Sequence, residues 1–164
     1  DIEEMERMLN DYLQFVSHQK NENTELVDIN NIIKETTEKY EKKKIQLFLE
    51  NEHKVNVRPN SMKRCLANLI DNAFAYGEKI EIITKNTNNN IIILIDDNGP
   101  GIPESEYQNV LKPFYRVDKS RGQNKAGVGL GLSIANDIIR AHGGIISFEK
   151  SNLKGLRVKI SLPI

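Results

Sequence analysis

The chain has 164 residues, a length typical of one domain with enough material for a hydrophobic core. Lysine plus arginine and aspartate plus glutamate each number 23, and this zero net charge argues against a dedicated nucleic-acid or membrane-surface binder. The single cysteine, Cys65, excludes an internal disulfide, and its apolar helical surroundings predict a small buried side chain. No run approaches the ~18 apolar residues that a membrane span needs. Because the chain begins inside a helical pattern, we expect a fragment of a longer protein.

The first helix is predicted over residues 2–16, where apolar side chains recur at spacings of three and four. They are Ile2, Met5, Leu9, Tyr12 and Val16. This seam is typical of a coiled coil and indicates the end of a helical hairpin that dimerises. Packing onto the rest of this chain is the alternative. Residues 17–27 are polar and predict a linker.

A second helix is predicted from an N-cap at Asp28 to about Lys43, followed by strands over 45–49 and 54–57. The next helix, over 60–76, has a strong apolar stripe and ends at Gly77. The stripe consists of Met62, Cys65, Leu66, Leu69, Ile70, Ala73 and Phe74.

The second half of the chain predicts two hairpins and a helix. Strands over 79–85 and 90–96 flank an asparagine-rich turn, and strands over 144–150 and 155–162 form the last hairpin. Between the hairpins lie an irregular region with a short helix near 104–111 and a helix from 130 to 142. This order predicts an α+β fold, a two-layer sandwich with a mixed sheet of about five strands on about three helices.

The segment DDNGPGIP, residues 96–103, places an acidic residue and two glycines directly after an apolar strand. One interpretation is a tight turn. The other is a pocket in which the Asp97 carboxylate binds a ligand and the glycines allow the ligand to approach closely.

Asn68 and Asn72 lie one helical turn apart, on the same side of the predicted helix. Their amide oxygens suit Mg²⁺, which takes only one or two protein oxygens when it is bound to phosphates. A pair of surface asparagines is the simpler interpretation.

The run GVGLGL, residues 127–132, precedes a helix, so its backbone N–H groups and the helix dipole suit a phosphate. A flexible hinge is the alternative, and the run lacks the preceding strand of a dinucleotide-binding βαβ unit. Upstream of it, cations crowd a stretch of low apolar content, which predicts a solvated loop or a partner for a triphosphate. These cations are Lys112, Arg116, Lys119, Arg121 and Lys125.

Four short motifs follow one another along the chain: N-L-I-D-N-A, D-x-G-x-G, P-F-x-R and G-x-G-L-G-L. Each motif alone is a weak signal, but their order is specific to one family. The chain resembles the ATP-binding catalytic domain of sensor histidine kinases, a superfamily that includes gyrase, Hsp90 and MutL, and is closest to EnvZ-type osmosensor kinases. The matching segments are an N box at Asn68–Tyr76, a first G box at Asp97–Gly101, an F box at Lys112–Arg116 and a second G box at Gly127–Leu132. The resemblance covers about residues 28–164 and implies a Bergerat-type ATP-binding fold.

The resemblance implies an adenine pocket at the first G box. Asp97 would accept a hydrogen bond from the adenine amino group. Gly99 and Gly101 would shape this pocket, and Ile102 and Leu132 would line it.

The resemblance also implies that another part of the nucleotide site binds the phosphates and Mg²⁺. Asn72 would hold Mg²⁺, with Asn68 beside it in the catalytic centre and Tyr76 near the nucleotide. Residues 112–127 would form a mobile lid anchored by Phe114. The residues implied to stabilise the transferred phosphoryl group are Arg116 and Arg121, and those implied to wrap the triphosphate are Gly127, Gly129, Leu130 and Gly131.

The chain departs from the family pattern in three ways. Ala75 stands where the family commonly has lysine or arginine, and Val128 stands where threonine or serine is usual. None of the three histidines, His18, His53 and His142, lies in a phosphoacceptor motif. The substrate histidine is therefore expected upstream of this chain.

The resemblance thus implies an Mg-ATP-dependent protein-histidine kinase. The phosphoryl group would pass to a histidine on the upstream hairpin and then to the aspartate of an OmpR-like response regulator. The parent would be a homodimer anchored in the bacterial inner membrane, with this domain in the cytoplasm and no nucleic-acid partner.

Three alternatives share the fold. An ATP-hydrolysing switch would need a glutamate as general base where this chain has Asn68. A serine kinase of the anti-sigma type also tends to have that glutamate. A non-catalytic nucleotide-binding module is supported by Ala75 and Val128.

Overall fold

The computed structural model describes residues 2–115 and 130–164. Its helices are α1 (Ile2–Asn21), α2 (Ile29–Thr37), α3 (Pro59–Tyr76) and α4 (Gly131–Ala141), with short 3-10 helices at Glu104–Glu106 and Asn109–Leu111. Its strands are β1 (Glu25–Asp28), β2 (Ile45–Leu49), β3 (Lys54–Val57), β4 (Ile80–Asn86), β5 (Asn90–Asp97), β6 (Ile145–Lys150) and β7 (Leu156–Pro163).

The main sheet has the strand order β2-β4-β5-β7-β6. β2 runs parallel to β4 and the other pairs are antiparallel, so the predicted mixed sheet of five strands is confirmed. β1 and β3 form a separate antiparallel pair. The fold is α+β, as the element order predicted.

The hydrophobic core lies between one face of this sheet and helices α2, α3 and α4. Because side chains alternate along a strand, Ile82, Ile95 and Val158 lie side by side on the same face of three neighbouring strands, and all three are buried. Leu69 of α3 and Ile138 of α4 are buried in the same cluster. The opposite face of the sheet carries the charged positions of β7.

Several predicted bounds are confirmed. β2 and β3 match the predicted strands, and the Asp28 side chain caps α2 by accepting a hydrogen bond from the Asn30 N–H at 3.0 Å. Gly77 ends α3, with its N–H donating to the Ala73 carbonyl at 2.8 Å. Cys65 is fully buried, as predicted.

The predicted end of α2 near Lys43 is wrong, because the helix ends at Thr37. The Thr36 hydroxyl donates to the Ile32 carbonyl at 2.8 Å, a side-chain bond that competes with helix continuation. Tyr40 lies beyond the end of the helix, and its ring stacks on Phe74 of α3, with ring centroids 5.7 Å apart. The predicted short helix near 104–111 is two 3-10 helices.

The predicted linker over 17–27 is also wrong in its structure. α1 continues to Asn21, and β1 begins at Glu25 and pairs with β3. Tertiary contacts use the polar residues of this segment: the Glu22 carboxylate accepts hydrogen bonds from the backbone N–H groups of Asn60 and Ser61 at 2.8 and 3.0 Å.

The apolar residues of the predicted α1 seam lie in two different environments, the core and the exposed surface. Tyr12 packs against the core, together with Met8, and its hydroxyl donates to Asp137 at 3.1 Å. Ile2, Met5 and Leu9 are exposed. The Val16 side chain lies outside the described part. No helix in the described ranges has both the length and the apolar character required to cross a bilayer.

Candidate functional site

Asp97 is the last residue of β5, and one oxygen of its carboxylate is fixed by hydrogen bonds. Its Oδ1 accepts hydrogen bonds from the Gly99 N–H at 2.9 Å and the Leu156 N–H at 3.1 Å. Within the described ranges both of these bonds go to Oδ1, which leaves Oδ2 free to accept another hydrogen bond, and the residue as a whole is 5% exposed. Burial raises the pKa of Asp97, and the neighbouring Asp96 charge raises it further, while the two N–H bonds act in the opposite direction.

Gly155 packs directly against this carboxylate, and the sequence analysis did not identify it. A Cβ atom at Gly155 would overlap Asp97 Oδ1 and would lie 2.7 Å from the Gly99 nitrogen. Only glycine therefore allows the β6–β7 turn to approach Asp97 this closely. The signal in the sequence was a glycine next to the start of the last strand, a position that also suits an ordinary hairpin turn.

The predicted glycines of the first G box lie beside Asp97. A Cβ atom at Gly99 would lie 2.7 Å from the Tyr76 carbonyl oxygen, so the end of α3 and the turn after β5 are in contact. Gly101 has a φ of 72°, in the left-handed region. Ile102 is half-buried and packs against the core.

Asn98 fixes the contact between these two segments. Its Oδ1 accepts hydrogen bonds from the backbone N–H groups of Glu78 and Lys79 at 2.7 and 2.9 Å. The Asn98 N–H donates to the Lys79 carbonyl at 3.2 Å. The segment that follows α3 is therefore tied to the segment that follows β5, and the N box and first G box meet at the end of β5, the central strand.

Asn68 and Asn72 are both half-buried on α3. A Cβ atom at Gly131 would lie 4.0 Å from Asn68 Cβ, so the beginning of α4 is adjacent to the N box. The Cys65 thiol donates to the Ala135 carbonyl, with sulfur and oxygen 3.8 Å apart, and joins the same two helices in the core.

The N-terminus of α4 has no side-chain cap. Leu130, at the N-cap position, is buried, and Gly131 and Leu132 are half-buried in the first turn. The first N–H groups of a helix without a cap are available to an anion, and the helix dipole favours a negative charge there.

The sequence of residues 57–164 matches the family described as "Histidine kinase-, DNA gyrase B-, and HSP90-like ATPase". The chain belongs to this family. It is an ATP-binding catalytic domain of the histidine kinase type, since its relatives are sensor histidine kinases.

Two relatives illustrate the extent of this similarity. The sensor histidine kinase GtrS of Pseudomonas aeruginosa is 34% identical over 165 residues, which cover 99% of this chain and 34% of that protein. The sensor histidine kinase CpxA of Escherichia coli is 38% identical over 107 residues, which cover 65% of this chain and 23% of that protein. The chain thus spans about a third or less of the length of these relatives.

Among solved structures, the histidine kinase domain of the Escherichia coli osmosensor EnvZ has a TM-score of 0.66 and 30% identity. The match covers 87% of this chain and 89% of that structure. The predicted resemblance to EnvZ-type kinases agrees with this finding.

The residues present fit ATP in this ATPase domain. The second Asp97 oxygen, Oδ2, suits the adenine amino group as an acceptor, and the uncapped start of α4 suits a phosphate. The described ranges contain no cluster of three or more His, Cys, Asp or Glu side chains that could hold a metal ion. Because Mg²⁺ that travels with ATP keeps its waters and phosphate ligands, one or two amide oxygens, such as that of Asn72, are sufficient.

Other predicted site residues are exposed or outside the described ranges. Tyr76 and Phe114 are 42% and 46% exposed, and Phe114 has a φ of 66°. Ala75 is half-buried on α3. The predictions that fall outside the described residues are those for Arg116, Arg121, Gly127, Val128, Gly129 and residues 116–127 of the lid.

His142 has a structural role. Its Nδ1–H donates to the Ile138 carbonyl at 2.7 Å, and its Nε2 accepts the Arg58 N–H at 3.0 Å, so both ring nitrogens are used at the end of α4. Burial lowers the pKa of His142 and keeps the ring neutral. His53 contacts the Glu52 carbonyl at 3.3 Å, and the His18 side chain is outside the described part.

Proposed function

We propose that this domain binds Mg-ATP and transfers the γ-phosphoryl group to a histidine on a helical hairpin upstream of the chain. One observation carries the proposal: Asp97 has one oxygen fixed by two backbone N–H groups, while no described residue donates a hydrogen bond to the other, and it lies at the end of β5, where the N box meets the first G box. A carboxylate arranged in this way can select an amino group as its ligand.

In the proposed adenine pocket, Asp97 Oδ2 accepts a hydrogen bond from the exocyclic amino group. Gly99 and Gly101 leave room for the ring, and Ile102 and Leu132 supply apolar walls. Guanine has a carbonyl oxygen in place of this amino group, so it would leave the carboxylate facing another acceptor. The pocket therefore selects adenine over guanine.

At the proposed phosphate end, the amide oxygen of Asn72 holds Mg²⁺, and Asn68 lies beside it. Bound Mg²⁺ neutralises charge on the phosphate oxygens. The start of α4, with Leu130 and Gly131, binds phosphate through backbone N–H groups. The other residues proposed for this end are Tyr76, Phe114, Arg116, Arg121, Gly127 and Gly129.

We propose that residues 1–16 are the end of the hairpin's second helix and that residues 28–164 form the catalytic domain. The similarity to GtrS supports this proposal because it includes α1, and three apolar residues of the predicted seam are exposed. The parent protein is then a homodimer anchored in the bacterial inner membrane, with this domain in the cytoplasm. Its hairpin donates the phosphoryl group to an OmpR-like response regulator.

The test uses the parent's upstream hairpin, with its histidine intact, as a separate substrate. It is mixed with this chain and Mg-ATP labelled at the γ-phosphate, and acid-labile label on the hairpin is measured. We expect label with the unchanged chain, none with Asn72→Ala, and no ATP binding with Asp97→Asn. Asn56→Ala, a change at an exposed asparagine of β3, serves as the matched control and should leave labelling unchanged.

Normal ATP binding by Asp97→Asn would refute the adenine site. ATP binding without labelling, either of the separate hairpin or of a longer chain that includes it, would favour a non-catalytic module. That module is the alternative suggested by Ala75, which stands where a phosphate-binding cation is common in the family.

A further inference from the structure

We propose that Arg157 is a positioning residue for Asp97, acting through an ion pair with Asp96 on the opposite face of the sheet. This inference rests on the proposed adenine-binding role of Asp97. Arg157 does not reach the nucleotide side itself. It holds strands β5 and β7 together, and it neutralises the charge of Asp96. The orientation and the ionisation of Asp97 depend on these two effects.

The ion pair is partly buried, with the Arg157 side chain 16% exposed and that of Asp96 0%, and it has two parallel hydrogen bonds. Arg157 Nε lies 2.8 Å from Asp96 Oδ1, and Arg157 Nη2 lies 2.9 Å from Asp96 Oδ2. Asp96 is fully buried although it lies on the face of the sheet opposite the helices. A second carboxylate, Glu149 of β6, lies 3.8 Å from Arg157 Nη1 but is exposed. Two-point contacts of this kind restrict geometry more than a single ion pair does.

The same two strands are fastened from both faces. Asp96 lies directly opposite Arg157 in the β5–β7 register. The next residue on β5 is Asp97 and the preceding residue on β7 is Leu156, whose N–H donates to Asp97 Oδ1. Because neighbouring side chains point to opposite faces, the ion pair fastens one face of this strand pair and the Asp97 bond fastens the other. A shift of the register would break both contacts together.

The charge of Arg157 also affects Asp97. The Asp96 carboxylate raises the pKa of Asp97, after burial as the larger cause, and Arg157 neutralises Asp96. Glu81 lies opposite Asp96 on β4, so two carboxylates would otherwise adjoin here. The titratable and charged groups on the segments around this aspartate pair are Tyr76, Glu78, Lys79, Glu81, Glu149, Lys154 and Arg157.

A purely structural contact would not require ions at this position. Burying an ion pair costs desolvation energy, and apolar pairs often replace such pairs without loss of stability. The adjacent Asp97 supplies a reason for charge, because it must stay ionised to accept a hydrogen bond from adenine. The unpaired charge of Asp96 would oppose that ionisation.

The test compares two single variants with opposite electrostatic effects. Arg157→Gln leaves the Asp96 charge unpaired, while Asp96→Asn removes that charge. ATP affinity is measured from acidic to neutral pH, and each value is divided by that of the unchanged chain, so that titration of the ATP phosphates cancels. The pKa of Asp97 is followed separately, without ATP, by carbon NMR of its carboxyl group.

We expect Arg157→Gln to move the acidic loss of affinity to higher pH, with a deficit on the order of tenfold on that limb. Asp96→Asn should move the loss to lower pH, and the NMR titration of Asp97 should shift in the same directions. The double variant, with both changes, should return towards the unchanged profile. Glu149→Gln, which removes the exposed partner of Arg157, should leave the profile unchanged.

Shifts of both single variants in the same direction, or no shift in the NMR titration, would overturn the proposal. If Arg157→Gln fails to fold, recovery of folding and affinity in the double variant supports the proposal, and failure to recover overturns it. Failure of the adenine site itself is distinguishable, because Asp97→Asn would then bind ATP normally while the NMR titrations still respond to Arg157 and Asp96.

Discussion

The contact between Glu22 and the start of α3 allows a quantitative test of how the segment after α1 is attached. The helix has no side-chain cap of its own at Arg58. Glu22 supplies the cap from a distant part of the chain: one carboxylate oxygen accepts from the Ser61 N–H and hydroxyl at 3.0 Å, and the other accepts from the Asn60 N–H at 2.8 Å. Glu22→Ala removes both acceptor oxygens, and Glu22→Gln removes the charge and one of the two acceptor oxygens.

The expected loss follows from the contacts that disappear. Loss of a helix N-cap costs about 1 kcal/mol, and loss of a negative charge at a helix N-terminus costs about 0.3–1 kcal/mol more. Glu22→Ala should therefore lower the free energy of unfolding by about 1–2 kcal/mol. In a domain of this size, that loss corresponds to a fall in Tm of about 2–8 °C. Glu22→Gln, which keeps one acceptor oxygen, should lose less than Glu22→Ala.

The loss should depend on pH. Hydrogen bonds from Asn60 and Ser61 outweigh the effect of burial and lower the pKa of Glu22 below its ordinary value of 4.5. A lowered carboxyl pKa contributes stability that is present above the ordinary value and lost as the pH falls through the folded value. Urea unfolding gives the free energy and thermal unfolding gives the Tm. Both are followed by circular dichroism, at neutral pH and in steps below about pH 4.5, for the unchanged chain and each variant.

Two results would refute this reasoning. One is an unchanged Tm for Glu22→Ala at neutral pH. The other is a loss for Glu22→Gln that stays constant as the pH falls below the ordinary glutamate value. Glu25→Gln, which neutralises an exposed carboxylate on β1, is the matched control and should change the Tm by less than about 1 °C.

Three further predictions follow from single side chains. Gly155→Ala should reduce ATP affinity on the order of tenfold or more in calorimetry, because its Cβ would displace the Asp97 carboxylate; unchanged affinity would contradict this close packing. His142→Asn should lower the free energy of unfolding by about 1–2 kcal/mol above pH 6.5. It should also flatten the loss of stability below that value, where the unfolded chain takes up a proton before the folded one does; an unaltered pH slope would exclude this role. Cys65 should react with a thiol reagent only in denaturant, because it is buried and burial raises its thiol pKa; rapid labelling of the folded chain would contradict that burial.

The fold class could be predicted from local patterns because they state which residues are buried. The apolar stripe of α3 and the alternating or continuous apolar runs of the strands identify core faces without knowledge of their partners. The candidate site could be predicted because its motifs are short and ordered, and Asp97, Asn72 and Gly131 each lie at the end or on one face of a single element. The errors at residues 17–27 and after Thr37 arose where a side chain bonds to another part of the chain or to its own backbone.

The sequence by itself determined that an acidic residue ends a buried strand and that a helix with two asparagines precedes it. Only the tertiary structure decided what holds that acidic residue. Leu156 donates to Asp97 from 59 positions away, Arg157 pairs with Asp96 from 61 positions away, and Glu22 caps α3 across 38 positions to Asn60. Such contacts leave no period in the sequence, since they depend on strand order and chain packing, which helix and strand periodicities do not specify.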